Sequence, residues 1–302
     1  MLTPEQVEQR KSYCMGSDAP IICGVSPYCT PYQLWEYKTR RAIEPDISEK
    51  PSVKAGNMLE GAVRDWLANE IEMEIRHDNQ LVRHLHYPFM AGNLDGWVVG
   101  QSAIVEIKTS SSDKGWGPSG SSIIPTPYLL QISHYMACAD VECCYVGVLI
   151  RGIDFRWYKI QRDNELISYI IAQEQLFYAC MTNDTPPPFQ NVEDIVALMA
   201  SKNPSGAIQA TDDLQLKVEK LGEIRALIKS FEEQEQILKL GICEFMNDKE
   251  YLAGQSGEIL VSWKKSKDSK RLDLDVLKGK FPEIYEQCTK VVPGSRRFDL
   301  KK

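Results

Sequence analysis

Asn93-Leu94-Asp95-Gly96-Trp97-Val98-Val99, then Ala103-Ile104-Val105-Glu106-Ile107-Lys108-Thr109, is the stretch on which the fold turns. The second segment is β-branched and alternating, which predicts a strand. Tyr87 to Val99 predicts the strand before it, with a turn at Asp95-Gly96 or just beyond. Residues i and i+2 of a strand share a face, so Glu106 and Lys108 project together while Ile107 packs inward. Antiparallel pairing through the short 98–102 connection would bring Asp95 near Glu106. Two carboxylates and a backbone carbonyl at one point suit Mg²⁺, which takes hard oxygen ligands and keeps positions for water and phosphate. The adjacent lysine could then orient or activate an attacking water. A surface ion pair worth ~0–1 kcal/mol is the other reading of Glu106 and Lys108. The acid-x-Lys pattern recurs at Glu36-Tyr37-Lys38, Asp268-Ser269-Lys270 and Asp299-Leu300-Lys301, which read as chance matches. What sets the 95/106/108 group apart is its place in the most apolar part of the sheet, where unpaired charge is costly.

Working outward, apolar spacing over Val53 to Glu72 predicts a helix, and it carries Glu60 as a possible third carboxylate. The loop Ser110 to Ser122 is rich in Ser and Gly around Trp116, and is either floppy or a functional flap. Pro125-Thr126-Pro127 opens a helix to about Ala139, on which Gln131 and Tyr135 stand i, i+4 on one side. Val141 to Ile150 is an apolar strand of the buried type, and Phe155 to Ile160 returns beside it as a hairpin. Asp163 to Met181 is a helix, and Pro186-Pro187-Pro188 closes the domain. This order predicts an α/β sheet with covering helices over residues 1–188, followed by a C-terminal extension over 189–302. In the extension, Asp212 to Asn247 reads as one long amphipathic helix or a bent pair, with a core or coiled-coil stripe. Ile259 to Trp263 is a short strand.

Composition excludes several classes. At 302 residues and 43% hydrophobic, the chain can bury a sizeable core and is not disordered. No run approaches the ~18 apolar residues of a membrane helix, and no targeting signal is read, so a cytoplasmic chain without a membrane is expected. Nine cysteines, an odd number without a Cys-x-x-Cys pair, predict reduced and mostly buried thiols. The net charge is −7, but residues 263–302 carry twelve Lys and Arg against six acids. An acidic body with a basic tail fits either a nucleic-acid contact or a solvated terminus. Near the start, Arg10 lies seven residues before Ser17 in a polar, glycine-broken segment of the kind that binds anions.

Helix-Glu60, strand-Asp95, Glu106-x-Lys108 and Gln131-x-x-x-Tyr135, in that order, resemble the core of the PD-(D/E)xK nuclease superfamily. Gly16-Ser17-Asp18-Ala19, Gly24-Val25-Ser26-Pro27-Tyr28, Leu34-Trp35-Glu36-Tyr37-Lys38 and Gly56-Asn57-Met58-Leu59-Glu60 narrow the likeness. Over about 1–190 the chain resembles the YqaJ-like viral recombinase, or lambda-exonuclease-like, family. The first acid lacks the superfamily's proline, as it often does. The resemblance implies a mixed central sheet flanked by helices, with a mainly helical extension beyond the nuclease domain. It implies that Asp95, Glu106 and the Ile107 carbonyl hold Mg²⁺, with Mn²⁺ as a substitute, and that Glu60 assists. Lys108 would be the catalytic lysine, Gln131 would orient the site, and Arg10, Ser17 and Tyr135 would contact the 5′-phosphate and DNA. The implied activity is 5′-to-3′ digestion of one strand from double-stranded DNA ends, leaving 3′ single strands for annealing-type recombination. A single-strand annealing protein and a homotrimer are the implied partners. An endonuclease of the same superfamily and a catalytically silent DNA-binding or partner-docking module are the rival readings. Ser262-Trp263-Lys264 and Ser295-Arg296-Arg297-Phe298 look like an extension found on some phage members.

Overall fold

The strand that carries Glu106 runs through the middle of a five-stranded sheet. The computed structural model describes residues 8–78, 80–199, 206–270, 272–290 and 298–301. It divides into two compact units, one ending at Leu198 and the other beginning at Met199. In the first, β2 (Ile75–Arg76), β5 (Gly96–Val98), β6 (Ala103–Ser110), β7 (Cys143–Ile150) and β8 (Asp154–Gln161) lie in the order β2-β5-β6-β7-β8. Only β6 and β7 are parallel, in register from Ala103↔Cys143 to Ser110↔Ile150. Helix α4 (Thr126–Ala139) lies in the crossover between them, as a parallel pair requires.

Every residue of β7 is buried, because helices cover both faces of the sheet at this point. On one face Val63 and Leu67 of α3 (Pro51–Glu70) pack on Val105, Ile107, Cys143 and Tyr145. On the other, Ile132 and Met136 of α4 pack on Ile104, Cys144, Val146 and Val148. The neighbouring thiols Cys143 and Cys144 thus enter opposite cores, and all nine cysteines are free. The same alternation turns Glu106 and Lys108 toward α4.

One expectation is corrected. Tyr87 to Val99 is not a single strand: β4 (Met90–Asn93) and β5 belong to different sheets. β4 is the centre of a three-stranded sheet, parallel to β1 (Cys14–Met15) and antiparallel to β3 (Leu81–Arg83). The chain changes sheet at Leu94-Asp95, where Leu94 is buried as a plug, and it turns only beyond Val98.

The N-terminal part adds α1 (Ala19–Ile22) and α2 (Pro31–Lys38), the latter capped reciprocally by Thr30 and Gln33. Asp163 caps α5 (Asn164–Thr182) by accepting from Glu165 N and Leu166 N. The first unit runs ten residues past the boundary expected at 188. Asp194 of α6 (Val192–Met199) is buried and accepts from Thr30 Oγ1 at 2.7 Å, and Phe189 meets Tyr32.

The second unit holds α7 (Asp212–Met246), one unbroken helix of 35 residues. A hairpin of β9 (Tyr251–Ala253) and β10 (Ile259–Ser262) follows, then α8 (Leu274–Lys280) and α9 (Pro282–Cys288). Of the basic tail, Arg271, Arg296, Arg297 and Lys302 lie outside the described residues, as does Ser295. Among the described residues no helix is long and apolar enough to cross a membrane.

A buried ion pair ties α4 to α5. His134 Nδ1 is 2.8 Å from Glu174 Oε1 and His134 Nε2 is 3.0 Å from the Ala91 carbonyl, all without solvent contact. Both ring nitrogens face acceptors, an arrangement that favours the doubly protonated imidazole, while burial raises the Glu174 carboxyl. Burial alone would depress the pKa of His134, but the Cys138 sulfur and the Glu174 carboxylate raise it well above the ordinary value. His134→Ala should therefore cost about 3–5 kcal/mol by stranding the carboxylate, whereas replacing both partners with leucine should cost less. Urea denaturation of the two variants checks this ordering.

Candidate active site

Asp95 occupies the seam between the two sheets. Its Oδ2 accepts from the Ile107 amide at 2.8 Å, a bond that prolongs the β5–β6 pairing by a side chain. This places Asp95 against Glu106, one residue before Ile107 and only 2% exposed. Lys108 Nζ donates to Glu106 Oε1 in a short ion pair, and Gln131 Nε2 donates to the same oxygen at 2.9 Å. The other carboxylate oxygen, Glu106 Oε2, is buried without any hydrogen-bond partner. The Lys108 ammonium also lies 5.3 Å from the centroid of the Tyr128 ring, one turn before Gln131 on α4. Asp95, Glu106, Lys108 and Gln131 thus converge as expected.

The electrostatics are those of two acids forced together in a dry place. Burial, then repulsion by Asp95, pushes Glu106 from 4.5 to about 8. Burial likewise raises Asp95, although Lys108 and the Ile107 amide pull it the other way. Burial alone would lower Lys108; the Glu106 and Asp95 carboxylates outweigh it and hold the ammonium above its ordinary value. One positive charge faces two carboxylates, and one carboxylate oxygen is unpaired. That is a donor set short of a cation, and it fits a hard divalent metal. Among the described residues, however, no three His, Cys, Asp or Glu side chains converge at metal-ligand spacing.

Glu60 is the expected acid that does not join. It is on α3 as anticipated, but its Oε1 accepts from Arg64 Nη1 at 3.3 Å, one turn along the helix. The same Arg64 nitrogen donates to the Asp95 carbonyl at 3.1 Å, which also lies 3.1 Å from His77 Nδ1. Arg64 and His77 had no signal in the sequence beyond the i, i+4 spacing of Glu60 and Arg64.

Arg10 and Ser17 do meet: Arg10 Nη2 donates to Ser17 Oγ at 3.1 Å. They line a pocket of about 230 Å³ with Lys11, Asp18 and Lys38. Lys38, read as a chance acid-x-Lys match, is buried here. Its ammonium lies 2.5 Å from Asp18 Oδ2 and donates to the carbonyls of Tyr13 at 2.8 Å and Arg10 at 3.0 Å. It fixes the loop that presents Arg10, and its charge is already neutralised. Lys11 is likewise paired, with Glu8 Oε2 at 2.9 Å, so Arg10 is the cation of this pocket that faces an anion.

Tyr135 connects this pocket to the carboxylates. Its hydroxyl accepts from Gln131 Nε2 at 3.1 Å, and its ring is buried between two glycines. A Cβ on Gly16 would stand 2.2 Å from the ring, and one on Gly92 2.6 Å. Tyr135 is thus a wall between Ser17 and Glu106, and not an exposed contact. The loop after β6 is pinned, not floppy: Trp116 is buried against Tyr128 and Tyr158, and Arg156 Nη1 donates to the carbonyls of Trp116 and Gly117.

Residues 5–142 match the model of the YqaJ-like viral recombinase domain. The protein YqaJ of Bacillus subtilis (strain 168) is 32% identical over 316 residues, covering 100% of this chain and 95% of YqaJ. The chain belongs to the YqaJ-like viral recombinase family. Among solved structures, the alkaline exonuclease LHK-Exo from Laribacter hongkongensis aligns at 18% identity and a TM-score of 0.48, covering 60% of this chain and 94% of that one. A phage-related exonuclease from Haemophilus somnus 129PT aligns at 15% identity and a TM-score of 0.43, covering 57% and 96%. The YqaJ-like family model spans the whole carboxylate cluster and the Arg10–Ser17 pocket, and stops before β7.

Because Glu106 titrates near 8 in the fold and near 4.5 when exposed, the folded protein without divalent cation keeps a proton that the unfolded chain releases between these values. Its stabilising contribution is present below about pH 4.5 and is lost as pH rises through about 8. Glu106→Gln mimics the protonated acid. In chelator it should melt above wild type at about pH 9, with the difference closing toward about pH 5. Equal melting curves at both ends would show that the acid gains no proton on folding.

Proposed function

We propose that this chain is a Mg²⁺-dependent deoxyribonuclease that digests one strand of linear duplex DNA from its 5′ end. The observation that carries the reading is the unpartnered Glu106 Oε2 facing Asp95 beside a lysine that already has its counter-ion. Asp95, Glu106 and the carbonyl of Ile107 would hold the metal, and Glu60 would have to leave Arg64 in order to assist. The bound ion would supply Lewis-acid polarisation of the scissile phosphate and a more acidic water.

The remaining chemistry belongs to the chain. Gln131 fixes the rotamer of Glu106 by holding Oε1, which leaves Oε2 aimed at the metal position. Lys108 positions the attacking water or offsets charge developing on the phosphate, and Glu106 keeps it protonated. Tyr128 and the pinned loop at Trp116 shield it from bulk water, which strengthens its field at short range. The Arg10–Ser17 pocket across Tyr135 would receive a terminal 5′-phosphate, since a guanidinium can hold its oxygens by paired charge-assisted bonds. End recognition beside the cleavage centre would yield 3′ single strands, the substrate of an annealing protein.

Wild type with Mg²⁺ should degrade linear duplex and spare a covalently closed circle. Asp95→Asn should abolish cleavage while the fold persists, because a neutral amide cannot balance the metal's charge. Lys108→Ala should cut the rate at least ~10²-fold without abolishing metal binding. Cleavage of the closed circle would favour the endonuclease reading, and near-normal turnover by Asp95→Asn would move the metal elsewhere.

The phosphate pocket has its own test. Ratios of initial rates on 5′-phosphorylated and 5′-hydroxyl ends, at one salt concentration, should favour the phosphate in wild type. Arg10→Ala should lose most of that preference and still cut, and Arg10→Lys should recover only part of it. A preference unchanged in Arg10→Ala would make Arg10 a surface residue.

A further inference from the structure

Helix α7 has the length and pattern of a partnered helix and buries almost nothing. Of its 35 residues only Met246 is buried, while Phe231 and Leu238 are 64% and 69% exposed. Eight of its apolar side chains fall on two rows of seven-residue steps, while Leu216, Val218, Leu227, Ile237 and Leu240 lie off them. One row runs Leu214, Leu221, Ile228, Glu235, Ile242, and the other, three residues on, runs Lys217, Ile224, Phe231, Leu238, Phe245. Two charged residues, Glu235 and Lys217, interrupt an otherwise apolar seam. Within the helix, Lys239 pairs with Glu235 at 2.7 Å and Asp213 with Lys217 at 2.6 Å, on exposed surface.

The positions of those two charges select an arrangement. In a parallel, in-register pair, Glu235 would meet Glu235 and Lys217 would meet Lys217, two repulsive layers. In an antiparallel pair each position of one row faces the other row of its partner. With the twofold axis at Ala226, Glu235 faces the partner's Lys217 and Lys217 the partner's Glu235. The same register sets Leu214 against the partner's Leu238, Leu221 against the partner's Phe231, and Ile228 against the partner's Ile224. Sliding by one heptad sets Glu235 against the partner's Ile224, so both charges lose their counterparts. One register satisfies every layer over residues 214–238, a seam about 37 Å long at 1.5 Å per residue.

We propose that α7 binds α7 of a second copy of this chain as an antiparallel coiled coil centred on Ala226, with the Glu235–Lys217 layers fixing its register. A charged layer in an apolar seam specifies orientation in this way at some cost in stability.

Sedimentation velocity of the full chain at micromolar concentration tests it, with circular dichroism to confirm that each variant is helical. Glu235→Lys and Lys217→Glu each turn the ionic layers into repulsive ones, and each should halve the assembled mass. The double variant Glu235→Lys/Lys217→Glu restores opposite charges only in the antiparallel register, so it should regain the wild-type mass. Phe231→Glu should halve the mass with no rescue from the charge swap. A wild-type chain that sediments as a single copy, single variants of unchanged mass, or a double variant that fails to reassociate would each overturn the proposal.

Discussion

The bond from the Ile107 amide to the Asp95 carboxylate, 2.8 Å long, organises the first unit. It is made where the chain leaves one sheet for another, at a point where backbone pairing alone would leave a buried amide without an acceptor. By serving as that acceptor, Asp95 closes the seam and is locked beside Glu106. Fold and site therefore share one contact. The α3 face of β6 provides the apolar packing, and the opposite face, one residue out of phase, provides the acid and the lysine.

That arrangement carries a standing conflict. Two carboxylates in a buried place repel each other, and Lys108 neutralises only one charge. The surroundings supply what keeps the cluster in place: Gln131 on one oxygen of Glu106, Arg64 and His77 on the Asp95 carbonyl, and Tyr128 against the lysine. Perturbed acids held rigidly in this way are typical of sites evolved to bind something charged rather than to maximise stability. The contrast with His134 and Glu174 is instructive. There a single imidazole faces a single carboxylate and the Ala91 carbonyl meets the other ring nitrogen, so no second acid crowds the pair, although Glu174 Oε2, like Glu106 Oε2, is buried without a partner.

Much of this could be read in the sequence, and the gaps have physical causes. Glu106-x-Lys108 was legible because strand periodicity puts i and i+2 on one face whatever the neighbours do. Gln131 and Tyr135 were legible for the corresponding helical reason. The sheet change at Leu94-Asp95 was not, since a strand that crosses between sheets keeps its alternation and only its hydrogen-bond partners change. Lys38 was passed over because its oxygen partners are two backbone carbonyls and an aspartate twenty residues away, and carbonyls leave no mark in a sequence. His134 and Glu174 lie 40 residues apart on different helices, so neither announces the other. Glu60 was placed on the correct helix, but its rotamer was decided by Arg64, a competition that spacing alone does not resolve.

The parallel pairing of Cys14 with Met90, and the wedge of Tyr135 between Gly16 and Gly92, bear on how the molecule is made. Both contacts join the first residues of the chain to positions far downstream, so their closure entropy falls due late in folding. A ribosome delivers Arg10 and Ser17 before β4 and α4, and although Lys38 of α2 can already hold the Arg10 and Tyr13 carbonyls, the Tyr135 wall behind them arrives only with α4. The anion pocket therefore gains its back wall at the moment the carboxylate cluster gains Gln131, because both side chains arrive on α4.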